Sequence, residues 1–415
     1  MKSRFWKSIL GIITFLALGL SARAETGVTA DEIVLGQSAA FKGPAAGLGT
    51  EVWRGAQACF DKVNAEGGVN GRKIRVAALD DGYEGDVTLP NTVKLVTQEK
   101  VFGLFDYVGT PTLVKALPAI QQFSGDGLFL FSAFSGAQPQ REAPNDKFVF
   151  NIRASYRQET AALVKNLTKL GLKKIGVFIQ DDAYGRSGED GVVRALKSEG
   201  LTLTAETTYQ RNVPYETSMA PAMGALKASG CQAVIAVGAY TQCAAFIRDA
   251  RNAGWDVPIA NLSFVGADQL LKKLGEEGKT SGKDMTAHLV NSQVVPPWTD
   301  TSVPLVAEYR EAVDKDNPQL PAELQDPNYK PAQYSFGALE GYLDAKAFVE
   351  ILKKTPANLT RASFIKAAES SKSLNVGGVP LSFSKSNHQA SNKVFFTTVE
   401  NGQWTSLKDW KGLVK

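Results

Sequence analysis

The residue types that most often carry catalysis are sparse in this chain. There are two histidines, His288 and His388, far apart in sequence. Neither stands beside the acids or thiols from which zinc sites and nucleophilic triads are built. No Gly-x-Ser-x-Gly elbow follows a strand-like run. Gly43, Gly47 and Gly49 lack dinucleotide-loop spacing, and the run Gly275 to Thr280 has two residues between its glycines where a phosphate loop needs four. That run reads as a solvated turn. Hydrolysis by a carboxylate pair stays open, but no pair is singled out. The composition therefore argues against an enzyme, a bound metal or a resident cofactor.

Two acidic pairs occur just past strand-like runs, in Asp80-Asp81-Gly82-Tyr83 and in Asp181-Asp182-Ala183-Tyr184. Such pairs either hold a metal or cap the next helix and shape the turn, and the second use is the commoner one. A sharper feature is Phe105-Asp106-Tyr107-Val108-Gly109-Thr110-Pro111-Thr112. Gly109 allows close backbone approach, Thr110 suits a helix cap, and Pro111 fits a first helical turn without losing a donor. A carboxylate would sit well on the free amides of such a helix start. Capping alone would also explain Thr110.

The surrounding pattern must position that loop. Short β-branched runs alternate with longer amphipathic stretches, which predicts parallel sheets covered by helices. Strands are expected at 33–36, 73–79, 101–105 and 128–131, with helices at 51–64, 87–98 and 112–123 between them. The alternation restarts after Phe148–Arg153. Helices are then expected at 158–170, 188–198, 218–229 and 243–252, and strands at 174–179, 201–209, 233–237 and 258–262. This predicts two successive doubly wound units. Beyond them, residues 317–331 read as a Pro-, Asn- and Asp-rich surface loop. Helices follow at 334–352 and 361–368, and strands near 380–383 and 393–399. In open sheets of this kind, ligands bind at the carboxyl ends of the strands.

The first residues read as an export signal. Lys2, Arg4 and Lys7 precede the apolar run Ile9–Leu20, and Ala22-Arg23-Ala24 supplies a cleavage site near Ala24. The apolar run is about half the ~20 residues a permanent membrane helix needs. Forty-six basic and 42 acidic side chains give +4. Residues 1–24 hold four of the basic ones and no acid, so the expected mature chain is balanced at 42 of each. The remaining basic residues form no stripe that would track a phosphate backbone, which argues against nucleic acid as a partner. Cys59 falls on the buried face of a helix. Cys231 and Cys243 are expected at opposite ends of a strand, about 20 Å apart at ~3.3 Å per residue. That is beyond disulfide reach, so all three read as core thiols.

Several stretches, in this order and spacing, resemble the periplasmic branched-chain (leucine/isoleucine/valine) amino-acid-binding proteins. They include Glu66–Arg72, Val108–Thr112, Ser132–Ala137, Asn151–Tyr156, Asp181–Gly185, Ala239-Tyr240, Ser263–Gly266 and Gln293–Pro296. The resemblance implies a type I periplasmic binding protein fold, with two Rossmann-like lobes joined by three hinge crossovers. Residues 25–152 with 294–378 would form one lobe, residues 153–293 with 379–415 the other, and the first crossover would fall near Arg153. It also implies a monomer in the periplasm that closes on a small organic ligand, an amino acid or related carboxylate, and delivers it to the permease of an ABC importer. A sensory module for a periplasmic partner and an exported hydrolase are the alternatives.

By the same resemblance, Tyr107, Gly109, Thr110, Phe134, Ser135 and Gly136 would hold the ligand carboxylate from the first lobe. Tyr184 and Tyr240 would close from the second lobe, with Tyr156 beside the hinge and Ser263 in the loop facing the ligand ammonium. For the tyrosines the alternative is core packing. One departure stands out. Amino-acid-binding members carry an acid in the loop matching Leu262–Gly266, and this loop has none. A buried ammonium without a counter-charge costs several kcal/mol. Either Asp181 or Asp106 replaces that acid, or the ligand has no ammonium.

Overall fold

A computed structural model describes residues 25–414, so the export-signal reading of residues 1–24 lies outside the described residues. The first sheet is built from β1 (Glu32–Ala39), β2 (Lys73–Asp80), β3 (Gly103–Val108), β4 (Leu130–Phe134) and β5 (Val149–Phe150). Between them run α1 (Ala46–Ala65), α2 (Gly85–Thr97) and α3 (Thr110–Ser124). The strands are parallel in the order β2-β1-β3-β4-β5.

The chain then crosses to a second unit. Its elements in sequence are α4 (Tyr156–Lys169), β6 (Ile175–Gln180), α5 (Ala183–Ser198), β7 (Ala205–Tyr209), α6 (Ala220–Ala228) and β8 (Ala233–Val237). They continue with α7 (Tyr240–Asn252), β9 (Ile259–Asn261), α8 (Ala267–Ser281) and β10 (Leu289–Gln293). A second crossing leads to α9 (Pro304–Asp316), α10 (Phe336–Leu352), α11 (Arg361–Glu369) and the hairpin β11 (Leu374–Val376) with β12 (Val379–Leu381). A third returns to β13 (Phe395–Glu400) and β14 (Gln403–Ser406), which extend the second sheet antiparallel. That sheet has the order β14-β13-β10-β9-β8-β6-β7. Two lobes joined by three crossovers are the result.

The boundary expected after residue 378 falls inside the β11–β12 hairpin. Phe383 still packs on Phe131 and Phe150 of the first sheet, so the first lobe's packing continues to the third crossover. There the first and third crossovers pair with each other, Asn151 donating to the His388 carbonyl at 2.7 Å and Ala390 to the Asn151 carbonyl at 2.8 Å.

The core of the first lobe is a helix crossing made close by glycine. A Cβ on Gly55 of α1 would lie 1.7 Å from the Ala338 carbonyl oxygen of α10, and one on Gly341 would lie 2.0 Å from that of Val52. No side chain fits at either place, so the two helices seat Phe60 against Phe348, and both rings meet Phe105 of the sheet.

Asp106 and Ser132 interrupt the sheet's alternation. Both have positive φ, 51° and 59°, and the register sets them opposite each other between the pairs Phe105↔Phe131 and Tyr107↔Ala133. Left-handed backbone at a residue with a side chain costs roughly 1–2 kcal/mol. Its effect is to shift the faces by one residue. Phe105 and Phe131 belong to the main core, whereas Tyr107 and Ala133 turn into the separate layer under α2 and α3.

Most expected elements are present, with systematic differences at helix starts. Helices expected from 51, 158, 188 and 243 begin at Ala46, Tyr156, Ala183 and Tyr240. Their first turns are rich in Gly, Thr and Tyr, so apolar periodicity is weak there. The strand expected over 201–209 forms only over Ala205–Tyr209. Gly275–Thr280 is not a turn; it lies within α8, in that helix's more exposed carboxyl-terminal part. Cys243 is likewise on α7 rather than at a strand end.

Candidate ligand-binding cleft

Most loops that face the opposite lobe lie at strand carboxyl ends, where helix amino ends gather; the 317–331 loop joins them through Tyr329, which accepts from Gln269 at 2.9 Å. In the first lobe these are the loops after β1, β2, β3 and β4. In the second they follow β6, β7, β8 and β9. The acidic pairs noted in the sequence shape two of them. Asp80 and Asp81 accept backbone amides of Phe41 and Tyr83 at 2.8 and 2.9 Å, and Asp182 caps α5 by accepting the Tyr184 amide at 2.9 Å. Their work is turn shaping, and it aims Tyr83 and Tyr184, each two residues past its acid, into the interlobe space.

The lobes are closed on each other. Gln180 donates to the Tyr83 hydroxyl at 3.2 Å, Asn212 donates to Glu84 at 2.8 Å, and Arg211 bridges Glu84 and Asp182. Nearer the mouth, the Gly47 amide donates to the Tyr240 hydroxyl at 3.2 Å and Thr241 to the Pro44 carbonyl at 2.9 Å. Between these contacts lies a chain of rings drawn from both lobes. Phe264 stands at its centre, with ring centroids 5.3 Å from Phe134, 5.9 Å from Tyr83 and 4.7 Å from Tyr184; Tyr184 lies 5.1 Å from Tyr156.

The hydroxyls of Tyr156 and Tyr184 are buried with no hydrogen-bond partner among the described residues. Burial raises both phenols above the usual tyrosine value, so both stay protonated donors at neutral pH. An unmet buried hydroxyl costs about 1–3 kcal/mol. The amino end of α3 lies in the same region. Its cap residue is Gly109, at φ 105°, and no side chain caps it. Thr110 does not cap: it is the first helical residue, and its hydroxyl bonds Ser135 at 2.8 Å. The amides of the first turn are thus left for a ligand. Gly109 is required because a Cβ there would lie 2.3 Å from the Tyr83 ring. Gly136 is held against Tyr156, whose amide donates to the Gly136 carbonyl at 2.7 Å.

Of the ten residues expected at the site, Gly109, Thr110, Phe134, Ser135, Gly136, Tyr156, Tyr184 and Ser263 lie buried together at or beside the ring cluster, Ser263 next to Phe264. Tyr240 borders an open cavity of about 650 Å³ at the mouth, lined from both lobes and by Tyr329 of the 317–331 loop. Tyr107 is the exception. The left-handed backbone at Asp106 turns it into the layer under α2, where its hydroxyl meets Thr92 at 3.1 Å. Sequence reasoning missed Tyr83, Phe264, Gln180 and Arg211. The signal for Tyr83 was available, because it repeats the spacing of Tyr184 after its own acidic pair.

Neither candidate acid reaches the rings as a free carboxylate. Asp181 is partly exposed and turned to Arg186 and Gln210. Asp106 lies behind the floor, facing Asp344, and burial holds its carboxyl well above the usual range. Nearer acids are committed: Asp182 and Glu84 to Arg211, and Glu159 to Arg153, Ser263 and Ser292. Among the described residues no group of three or more His, Cys, Asp or Glu side chains is arranged to hold a metal ion.

A family model described as periplasmic binding protein matches residues 32–403. A Leu/Ile/Val-binding protein homolog 7 of Brucella abortus is 24% identical over 383 residues, covering 89% of this chain and 88% of that protein. An amino acid binding protein of Pseudomonas aeruginosa is 25% identical over 288 residues, 69% of this chain and 73% of that one. Among solved structures, a possible leucine/isoleucine/valine-binding protein from Rhodopirellula baltica is 34% identical, with a TM-score of 0.81 over 94% of this chain and all of that one. A branched-chain amino acid transporter protein from Thermus thermophilus, solved with bound valine, shares the fold at a TM-score of 0.79 and 16% identity, covering 92% of this chain and 97% of that one. These relatives and this fold are those of substrate-binding proteins and not of enzymes. The chain belongs to the type I periplasmic binding proteins, in the leucine/isoleucine/valine-binding family.

Proposed function

We propose that this protein captures a small carboxylate-bearing molecule between its lobes and passes it to an ABC permease in the inner membrane. It would act in the periplasm as a monomer, after cleavage near Ala24. The observation that carries the reading is the pair of buried, unpartnered hydroxyls on Tyr156 and Tyr184, set among rings and beside the uncapped start of α3. A ligand carboxylate supplies acceptors for those donors, and an apolar or aromatic body suits the rings around Phe264. Closure then reports occupancy as a shape that a membrane partner can read.

Charge supports one subset of ligands. With the acids beside the ring cluster, Glu84, Asp182 and Glu159, each paired with an arginine, an ammonium there has no free counter-charge, so a carboxylic acid without an amino group fits better than its amino acid. Equilibrium dialysis separates the two. L-phenylalanine against 3-phenylpropanoate, and L-leucine against 4-methylpentanoate, differ by the amino group alone. The reading expects the deaminated member of a pair to be retained. Retention of the amino acids only would overturn the charge argument and leave the transport reading standing.

A further inference from the structure

The floor of the cleft holds a charged group that the ligand contacts do not require. Arg153, in the first crossover, is fully buried, and its guanidinium lies 5.1 Å from the Phe134 ring centre and 5.8 Å from that of Tyr156. On one side it meets second-lobe groups, Ser263 Oγ and Glu159 Oε1, the latter at 3.3 Å. On the other it meets Glu340 of α10, in the first lobe, at 3.2 Å. One side chain therefore ties both lobes to the rings between them.

Its two carboxylate partners are held very differently. Glu159 has three further donors: the Ser263 amide at 2.9 Å, the Ser263 hydroxyl at 3.0 Å and the Ser292 hydroxyl at 2.6 Å. Glu340 Oε1 has the ion pair with Arg153 and no hydrogen-bond donor. If Arg153 stays with its two second-lobe partners, Ser263 and Glu159, when the lobes separate, Glu340 loses its ion pair. Glu340 is also the end of a buried acidic row. Asp344 lies one helical turn on, bonded to the Ser132 hydroxyl at 2.6 Å, and Asp106 faces Asp344 with both oxygens lacking a donor.

We infer that Arg153 is the positioning residue that couples lobe closure to the charge of Glu340, so that closing drives a proton out of the Glu340–Asp344–Asp106 row. This rests on the reading of the cleft as one that opens and closes. The groups facing Glu340 are Arg153 and Arg141, which favour its charge, and Asp344 and Glu159, which oppose it. In the closed form burial, the largest influence, still pushes Glu340 up to about 8. Opening removes Arg153, which raises Glu340, and admits water, which lowers it; the coupling requires the first effect to outweigh the second. The closed form then binds fewer protons, and closure strengthens as pH rises above about 8. The limit for one proton is about tenfold in the closing equilibrium per pH unit, up to the open-form value.

The test is a donor–acceptor pair on the mature chain, at Lys94→Cys in α2 and Lys227→Cys in α6, read without ligand from pH 6.5 to 9.5. The native cysteines are buried and stay unlabelled. The wild-type background should shift toward shorter lobe separation above pH 8. Glu340→Gln should be flat and more open at high pH. Asp344→Asn, which removes a neighbouring acid and keeps the Arg153 pair, should move the transition to lower pH. A flat wild-type response, or a Glu340→Gln response that tracks wild type, overturns the inference. Adding L-phenylalanine, 3-phenylpropanoate, L-leucine or 4-methylpentanoate reads the cleft separately. Closure with pH but with none of them sinks the ligand reading alone, and closure with ligand but not with pH sinks only the proton coupling.

Discussion

Asp106 and Ser132 sit opposite each other on neighbouring parallel strands, both with left-handed backbone. The pairing lets Ser132 donate to Asp344 at 2.6 Å and turns Asp106 toward the same carboxyl. Asp344 is raised to about 7 by burial, against an unfolded value of about 3.9. The folded state keeps a proton that the unfolded state has released, so stability falls as pH rises from about 4 to about 7. Asp344→Asn supplies a permanent donor toward Asp106 and still accepts from Ser132. Thermal melts should place the variant within about 1 °C of wild type near pH 4.5 and a few degrees above it at pH 8. Parallel curves across that range would contradict the assignment.

The orphaned hydroxyls give a prediction with two signs. Tyr156→Phe and Tyr184→Phe each remove an unmet buried donor, so the ligand-free protein should melt unchanged or higher, by up to about 1 kcal/mol. Ligand affinity should drop about fivefold to tenfold in each, ~1–1.4 kcal/mol. Calorimetric titration and melting of the same samples read both. Equal loss of stability and affinity would mean that these tyrosines are core residues.

Two glycines separate fold from site. Gly55→Ala places a methyl group into the Ala338 carbonyl and should cost about 2–3 kcal/mol of stability, while the folded fraction keeps its affinity. Gly109→Ala combines a φ of 105° with a clash on Tyr83. Displacing Tyr83 breaks its bond from Gln180, so affinity should fall about tenfold, ~1.4 kcal/mol. Denaturant curves beside titrations distinguish the two.

The three cysteines are free and buried, and burial pushes the Cys59 thiol up to about 12. A thiol reagent should leave the native protein unmodified and label all three sites in denaturant. A reducing agent should not change the melting temperature. A reducible bridge between any two would contradict the packing.

The sheets were legible in the sequence because a buried parallel strand is a β-branched run, as in Ile175–Gln180 and Ala233–Val237. The first turns of the cleft helices were not. Gly47 and Leu48 meet Gln269 and Gly266 of the opposite lobe, and Tyr240 and Thr241 meet Gly47 and Pro44, and no single-helix period records that. Tyr107 was misplaced for a related reason. Strand alternation would aim it with Phe105, and the paired positive φ values at Asp106 and Ser132 send it the other way. Phe264 was passed over beside Ser263 because its role depends on three rings from distant segments.

The most direct test of the central claim is a thermal-shift screen of residues 25–415, unfolded and refolded beforehand to remove carried-over ligand. The panel sets branched-chain and aromatic amino acids against the matching carboxylic acids, and each positive compound is recovered afterwards and quantified. A ligand at a hundred times its dissociation constant adds ~2.7 kcal/mol of stability. The account predicts a clear upward shift with at least one carboxylate and its recovery intact. No shift across the panel, or a compound consumed, would contradict it.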